Sequence, residues 1–229
     1  MRHIIYGLLI LVSLISAPQD LLAFWDFEYQ ELYYKITDSN SVEVISSRYR
    51  DGVVSVPASA TYNGKEYRVR KIAYRAFADC ENLLDITIDE GVEIIDHSAF
   101  RNCKNLRSCS LPKSLRELGH DAFQNCENLR NITIGPNVGK IGIQAFHNCA
   151  NLEKLTIESE SCVIEIHAFE GCKRLDTIIL KGQQPIRINS SSFNGVPDSA
   201  EVLAGKKCAT KLRKDQYWQR FKNIRTIKY

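Results

Sequence analysis

The sequence predicts a β-rich solenoid with short helical turns: five to six coils share a parallel sheet, between an N-terminal β cap and a C-terminal helical cap. The first observation is a period. Phe77, Phe100, Phe123, Phe146 and Phe169 recur every 23 residues, each directly after an Ala. Cys80, Cys103, Cys126, Cys149 and Cys172 follow three residues later, and Leu83, Leu106, Leu129, Leu152 and Leu175 three after those. The second is a pair with strand spacing behind each Leu: Ile86/Ile88, Cys109/Leu111, Ile132/Ile134, Leu155/Ile157 and Ile178/Leu180. Several apolar columns on one period mean that like residues stack in neighbouring coils, since an isolated copy cannot bury its own Phe and Leu. The third is size. With 229 residues, 44% hydrophobic and 25% charged, the chain suits one domain or one elongated array and is neither disordered nor collagen-like.

In chain order, residues 1–23 read as a signal peptide. Met1-Arg2-His3 precedes an uncharged run from Ile4 to Ala17, which Pro18-Gln19-Asp20 ends before it is long enough to span a bilayer. Cleavage is expected after Ala23, with Ala17 as the alternative, and export implies an oxidising compartment at the cell surface, in the medium or in the periplasm. Residues 24–71 form the N-terminal β cap, with strand-like runs at Leu32 to Thr37, Ser41 to Ser46 and Gly52 to Val56, and with Asn63-Gly64 as a hairpin turn. Residues 72–200 hold the coils. In each, Ala-Phe-x-x-Cys is expected as one turn of helix and the pair after Leu as a short parallel strand. A sixth, imperfect copy has Ile188 and Phe193, with Ser192 for Ala and Val196 for Cys. Residues 201–229 make the C-terminal cap, with a helical pattern over Lys206 to Phe221 and with Trp218 and Phe221 closing the last coil.

The pattern AF-x-x-C-x-x-L-x-x-I-x-I, with Val138 to Gly142 behind one copy, resembles the BspA-like (Treponema-type) leucine-rich repeat family of exported bacterial proteins. The resemblance implies a leucine-rich repeat solenoid, and roles in attachment to host matrix proteins or to other cells. The family's frequent Gly before the turn stands only at Gly119 and Gly142, with Asp96 and Glu165 elsewhere.

Candidate chemistry is sparse. No CxxC pair occurs among the eight cysteines, and a 23-residue spacing is neither a zinc nor a redox motif. The five column cysteines and the inward-facing Cys109 are expected as compact core thiols. Cys162 and Cys208 lie off the columns and are the candidates for a disulfide or a free thiol. His97 and His120 should stack on adjacent coils in a half-buried packing column with Tyr74, Ile143 and Ile166, not in a metal site. The Asn columns at 102, 125 and 148 and at 82, 105, 128 and 151 are expected to satisfy turn backbone and to tolerate positive φ. No nucleophile with a base, no acid pair and no phosphate loop appears, so no enzyme, cofactor or metal is expected.

What remains is the outer face of the strands: Asp85, Thr87 and Asp89; Ser108 and Ser110; Asn131 and Thr133; Lys154, Thr156 and Glu158; Thr177, Ile179 and Lys181. A flat face rich in hydroxyls offers hydrogen bonds and little shape for catalysis, so it suits a protein or glycan ligand; β-favouring polar residues on a solvated sheet are the alternative. Five coils give a sheet only about 24 Å long, and an envelope scaffold holding other exported components is the rival role. Charge is uneven. Residues 205–229 carry nine Lys/Arg against one acid, whereas 24–204 carry twenty against twenty-five. The tail could therefore dock on an anionic envelope surface, while nucleic acid is not an expected partner.

Overall fold

The computed structural model describes residues 25–47 and 51–228, so the segment read as a signal peptide lies outside the described residues. Six strands precede the repeats: β1 (Phe27–Tyr29), β2 (Leu32–Ile36), β3 (Ser41–Ser47), β4 (Asp51–Val56), β5 (Ser59–Tyr62) and β6 (Lys65–Ile72). The repeats then alternate a longer strand with a two-residue one: β7 (Asn82–Ile88), β8 (Ile94–Ile95), β9 (Ser108–Ser110), β10 (Glu117–Leu118), β11 (Asn131–Ile134), β12 (Lys140–Ile141), β13 (Lys154–Ile157), β14 (Val163–Ile164) and β15 (Thr177–Leu180). After β16 (Glu201–Ala204) come helix α1 (Lys206–Leu212), a 3-10 turn at Trp218–Arg220, and β17 (Asn223–Thr226).

The longer strands form one wall in two parallel panels, β4-β7-β9 and β11-β13-β15-β16-β17. Alternation sends Ile132, Leu155, Ile178, Val202 and Ile224 inward in register. The two-residue strands build the second wall in the order β3-β6-β8-β10-β12-β14, with β1, β2 and β5 added antiparallel at its N-terminal end. The parallel walls thus begin before residue 72 and continue past 200. Eight strands stack in the first wall, not five, and the seven steps between them span about 34 Å at 4.8 Å per step. The helical pattern at the C-terminal end condenses to α1, and the chain then adds one more parallel strand.

The third wall is made of turns. The expected helical turn takes the form of successive i→i+3 bonds, such as Cys103 N–H to Phe100 O at 3.2 Å, punctuated by left-handed residues. Asn102, Asn125 and Asn148 adopt φ of 59–61°, in accord with their sequence role, and a second left-handed column runs through Arg75, Ser98, Asp121, Gln144 and His167. In these conformations the N–H groups point along the solenoid axis. Ser98 donates to His120 O at 2.8 Å and Asn125 to His147 O at 2.8 Å, so consecutive coils are bonded on this wall as well. Gly119 and Gly142 mark a close approach: a Cβ at Gly142 would sit 2.6 Å from the Gly119 carbonyl carbon.

The core is a row of rings. Phe77, Phe100, Phe123, Phe146, Phe169 and Phe193 stack with centroids 4.9–5.2 Å apart and planes within 13°. The row ends where Trp218 tilts onto Phe193 at 5.6 Å and Phe221 meets it edge-on. Trp218 is fully buried and donates Nε1–H to Ile186 O at 3.0 Å. At the other end Phe27 stacks on Tyr62 and Tyr34. Removing the C-terminal stopper exposes the end of the row, so Trp218→Ala is expected to lower stability by about 3–5 kcal/mol in urea unfolding. Hydrogen exchange should quicken first in β15, β16 and β17; uniform quickening along the whole chain would count against an end-capping role.

Candidate functional site

The outer face of the first wall carries the residues expected there in two straight columns. The middle column is Ser55, Thr87 and Ser110 on one panel, then Thr133, Thr156, Ile179, Leu203 and Arg225 on the other. Beside it run Val53, Asp85 and Ser108, then Asn131, Lys154, Thr177, Glu201 and Asn223. The face therefore extends beyond the repeat pattern to Val53 and Ser55 at one end and to Glu201, Leu203, Asn223 and Arg225 at the other. The strands that carry these additions lack the Phe and Cys columns. Their only signal in the sequence is the apolar alternation at Val54/Val56, Val202/Ala204 and Ile224.

Not every predicted residue is open. Thr156 is only 8% exposed, packed between the neighbouring strands, which corrects its placement as a surface hydroxyl. Asp85 accepts a hydrogen bond from Ser108 Oγ at 2.6 Å, Lys181 pairs with Glu158 at 2.6 Å, and Thr177 donates to Asp176 at 2.7 Å. Thr87, Asp89, Ser110, Asn131, Thr133 and Lys154 remain exposed. Toward the C-terminal end the column turns aliphatic at the half-buried Ile179 and Leu203, and Arg225 is held by Glu201 at 3.0 Å.

The strand ladder is thinnest around β9, on both of its sides. Asp89, Glu158 and Lys181 each donate their N–H to the preceding coil at 2.9 Å. Pro112 occupies the equivalent position and has no N–H to give to β7, so the β7–β9 ladder ends after three pairs. Beyond it the bond from Arg130 N–H to Arg107 O stretches to 3.4 Å, where its equivalents from Arg107 and Glu153 measure 2.7 and 2.8 Å.

The cysteines serve the turn wall. Cys103, Cys126, Cys149 and Cys172 each donate Sγ–H to the Phe carbonyl of the preceding coil at 3.0–3.2 Å. That carbonyl already accepts its own coil's Cys N–H, so the thiol links coils and is more than a small apolar filler. At the last Phe, where no thiol follows, Arg220 Nη1 donates to Phe193 O at 2.8 Å, and Nη2 to Val196 O and Asp198. All eight cysteines are free and buried, including Cys162 and Cys208. Cys162 is buried one residue after the position at which Val92, Leu115 and Val138 fill the earlier coils.

The Asn columns bond mainly to each other. Asn125 donates to Asn102 Oδ1 and Asn148 to Asn125 Oδ1, until Gly171 ends the ladder; a parallel one joins Asn105, Asn128 and Asn151. At its start Asn102 donates to Asp79, which holds that carboxyl below its usual range. His97 and His120 stack at 4.7 Å as expected. Their column is more open than a half-buried one, with Tyr74 62% and Ile166 41% exposed. His120 Nδ1 accepts the Ile143 N–H. Burial would raise the Asp96 carboxyl, but bonds from Lys71 and His97 hold it low. No group of three His, Cys, Asp or Glu side chains suited to a metal occurs among the described residues.

A polar cleft of about 830 Å³ lies against the N-terminal strands, lined by Asp38, Ser59, Glu66, Arg68, Arg70 and Glu90 among others. Its acids are engaged. Ser59 donates to Glu66 at 2.6 Å, the Lys113 and Ser114 N–H groups to Glu90, and Asn40 N–H to Asp38. Neither a nucleophile with a base nor a pair of unengaged carboxylates faces it.

Stacked coils with Phe, Leu and thiol columns, a parallel strand wall and an outer face free of catalytic groupings define a leucine-rich repeat solenoid. The profile of the BspA type leucine rich repeat region matches residues 70–199 in six copies. The chain belongs to that family. Among solved structures it is similar to a leucine-rich repeat protein from Bacteroides ovatus, at 25% identity and TM-score 0.52 over 80% of this chain and 60% of that one. It is also similar to the T. pallidum leucine-rich repeat protein, at 21% identity and TM-score 0.58 over 84% and 96%. The pneumococcal vaccine antigen PcpA shares the fold at 21% identity and TM-score 0.65 over 79% of this chain and 50% of that one. The chain thus spans 60% of the Bacteroides protein and half of the pneumococcal antigen. No curated protein matches in sequence.

Proposed function

We propose that the protein is an exported, non-catalytic binding module that holds a protein or glycan partner on the outer face of its strand wall, in adhesion or host contact at the cell surface. The observation that carries this is the exposed column Ser55, Thr87 and Ser110, in register on one panel, continued by Thr133 on the other with Asn131 and Lys154 beside it. Within each panel, parallel strands hold these donors and acceptors about 4.8 Å apart on a rigid backbone, so a ligand meets preset hydrogen-bond positions. The leader-like residues 1–23 and the bacterial relatives, one of them a vaccine antigen, support an exported location. The polar half of the face adjoins the aliphatic Ile179 and Leu203, an arrangement that also suits a protein partner with an apolar anchor.

The test is capture of partners on the immobilised protein from host matrix proteins, glycans and envelope extracts. Replacement of Thr87, Ser110 and Thr133 by Lys is expected to weaken the captured interaction by tenfold or more while leaving thermal unfolding within a few degrees of wild type. Capture that survives these changes would move the site off the strand face. Retention of envelope components alone would favour the scaffold role.

A further inference from the structure

We propose that the C-terminal end of the solenoid docks on an anionic phospholipid bilayer and stands the array on its end. Residues 205–229 hold nine Lys/Arg and a single acid, Asp215. Asp215 is engaged internally, because its carboxylate accepts the Tyr217 and Trp218 N–H groups at 2.9 and 3.1 Å. Four of the cations are also engaged: Lys211 with Gln184, Arg213 with Ile224 O, Arg220 with Phe193 O, Val196 O and Asp198, and Arg225 with Glu201.

The other five are Lys206, Lys207, Lys214, Lys222 and Lys228. All are exposed, and among the described residues none of their ammonium groups enters an ion pair or hydrogen bond. They belong to the last coil, whose inward residues Cys208, Ala209, Leu212, Trp218 and Phe221 are buried against the solenoid. The coil therefore keeps its apolar side for the fold and offers its lysines outward, with Tyr217 36% exposed among them. Lysines spread over one end, with an aromatic beside them, fit the charge and the interfacial layer of an anionic leaflet. Thr87 would then stand six strands, about 29 Å, above the surface, with the strand face open to the side. This inference is independent of which ligand the strand face takes.

The experiment measures partition of the full chain onto vesicles of phosphatidylcholine with 30% phosphatidylglycerol, and onto pure phosphatidylcholine, as lipid is titrated. A lysine near an anionic leaflet contributes about fivefold in partition. The variant Lys206→Gln, Lys207→Gln, Lys214→Gln, Lys222→Gln should therefore lose about 600-fold on anionic vesicles and nothing on neutral ones. The apolar leader is common to both proteins and cancels in this comparison. Raising NaCl from 50 to 300 mM should erase most of the difference between them. A second variant, Lys35→Gln, Lys104→Gln, Lys113→Gln, Lys173→Gln, makes the same change in net charge on the solenoid body and should lose less than fivefold. Equal losses in the two variants, equal binding to both vesicle types, or retention on soluble dextran sulfate without vesicle binding would each overturn the proposal.

Discussion

Raising the pH from about 8.5 to 10 is expected to unfold the protein steeply, because burial holds five of its thiols neutral. Burial pushes Cys162 up to about 12 and Cys208 up to about 11, and it drives Cys109, Cys126 and Cys149 well above the ordinary thiol range. In the unfolded chain a thiol ionises near pH 8.5. Above that pH the unfolded state binds fewer protons than the folded one, so stability falls as pH rises; below it the contribution is intact. Each such thiol removes about 1.4 kcal/mol per pH unit and five together up to about 7, enough to exhaust a typical domain's stability within about two units. Ellipticity followed against pH checks the slope, and Cys162→Ala should flatten it by about a fifth. At pH 8 a thiolate-directed reagent should find no reactive group in the native protein and eight after urea unfolding. Rapid native labelling, or fewer than eight thiols in urea, would refute the buried, unbridged arrangement.

Phe123→Ala should cost about 3–5 kcal/mol. The ring is fully buried between Phe100 and Phe146, at 4.9 and 5.2 Å, in a wall whose backbone is fixed by bonds from Phe100 N–H to Ala122 O and from Phe123 N–H to Ala145 O, both 2.7 Å. Neighbouring coils cannot close the void without breaking those bonds. Phe123→Leu, which restores most of the volume, should recover the larger part of the loss in the same urea titration. A loss below about 1 kcal/mol for the Ala variant would mean that the row of rings is not what holds the coils together.

The repeat columns could be read from residue type alone, because Phe, Cys and Leu on one period admit a single packing. The geometry that depends on backbone could be read only in part. Asn102, Asn125 and Asn148 advertise positive φ, whereas the second left-handed column holds Arg75, Ser98, Asp121, Gln144 and His167. These side chains share no chemistry, so the column is visible only in the bonding of their N–H groups along the axis. That the strands at both ends continue the repeat wall was illegible for a different reason, although the Gly52–Val56 run itself reads as a strand. β4, β16 and β17 contribute strand hydrogen bonds without the turn that carries Phe and Cys, and Trp218, Phe221 and Arg220 replace those residues with others of different spacing. On the candidate face, alternation identified which residues point outward but not how far neighbours cover them. Thr156 shows this, and so do Asp85 and Glu158, which cross-strand partners already occupy.

The ladders have a consequence for how such a gene can change length. The Phe rings, the thiol-to-carbonyl bonds and the Asn amides each reach only to the adjoining coil. A tandem duplication or deletion of one whole period therefore leaves every surviving contact with a partner of the same kind, and the end structures need not be rebuilt. Unequal recombination within the repeats can thus lengthen or shorten the strand wall one strand at a time while the protein stays folded.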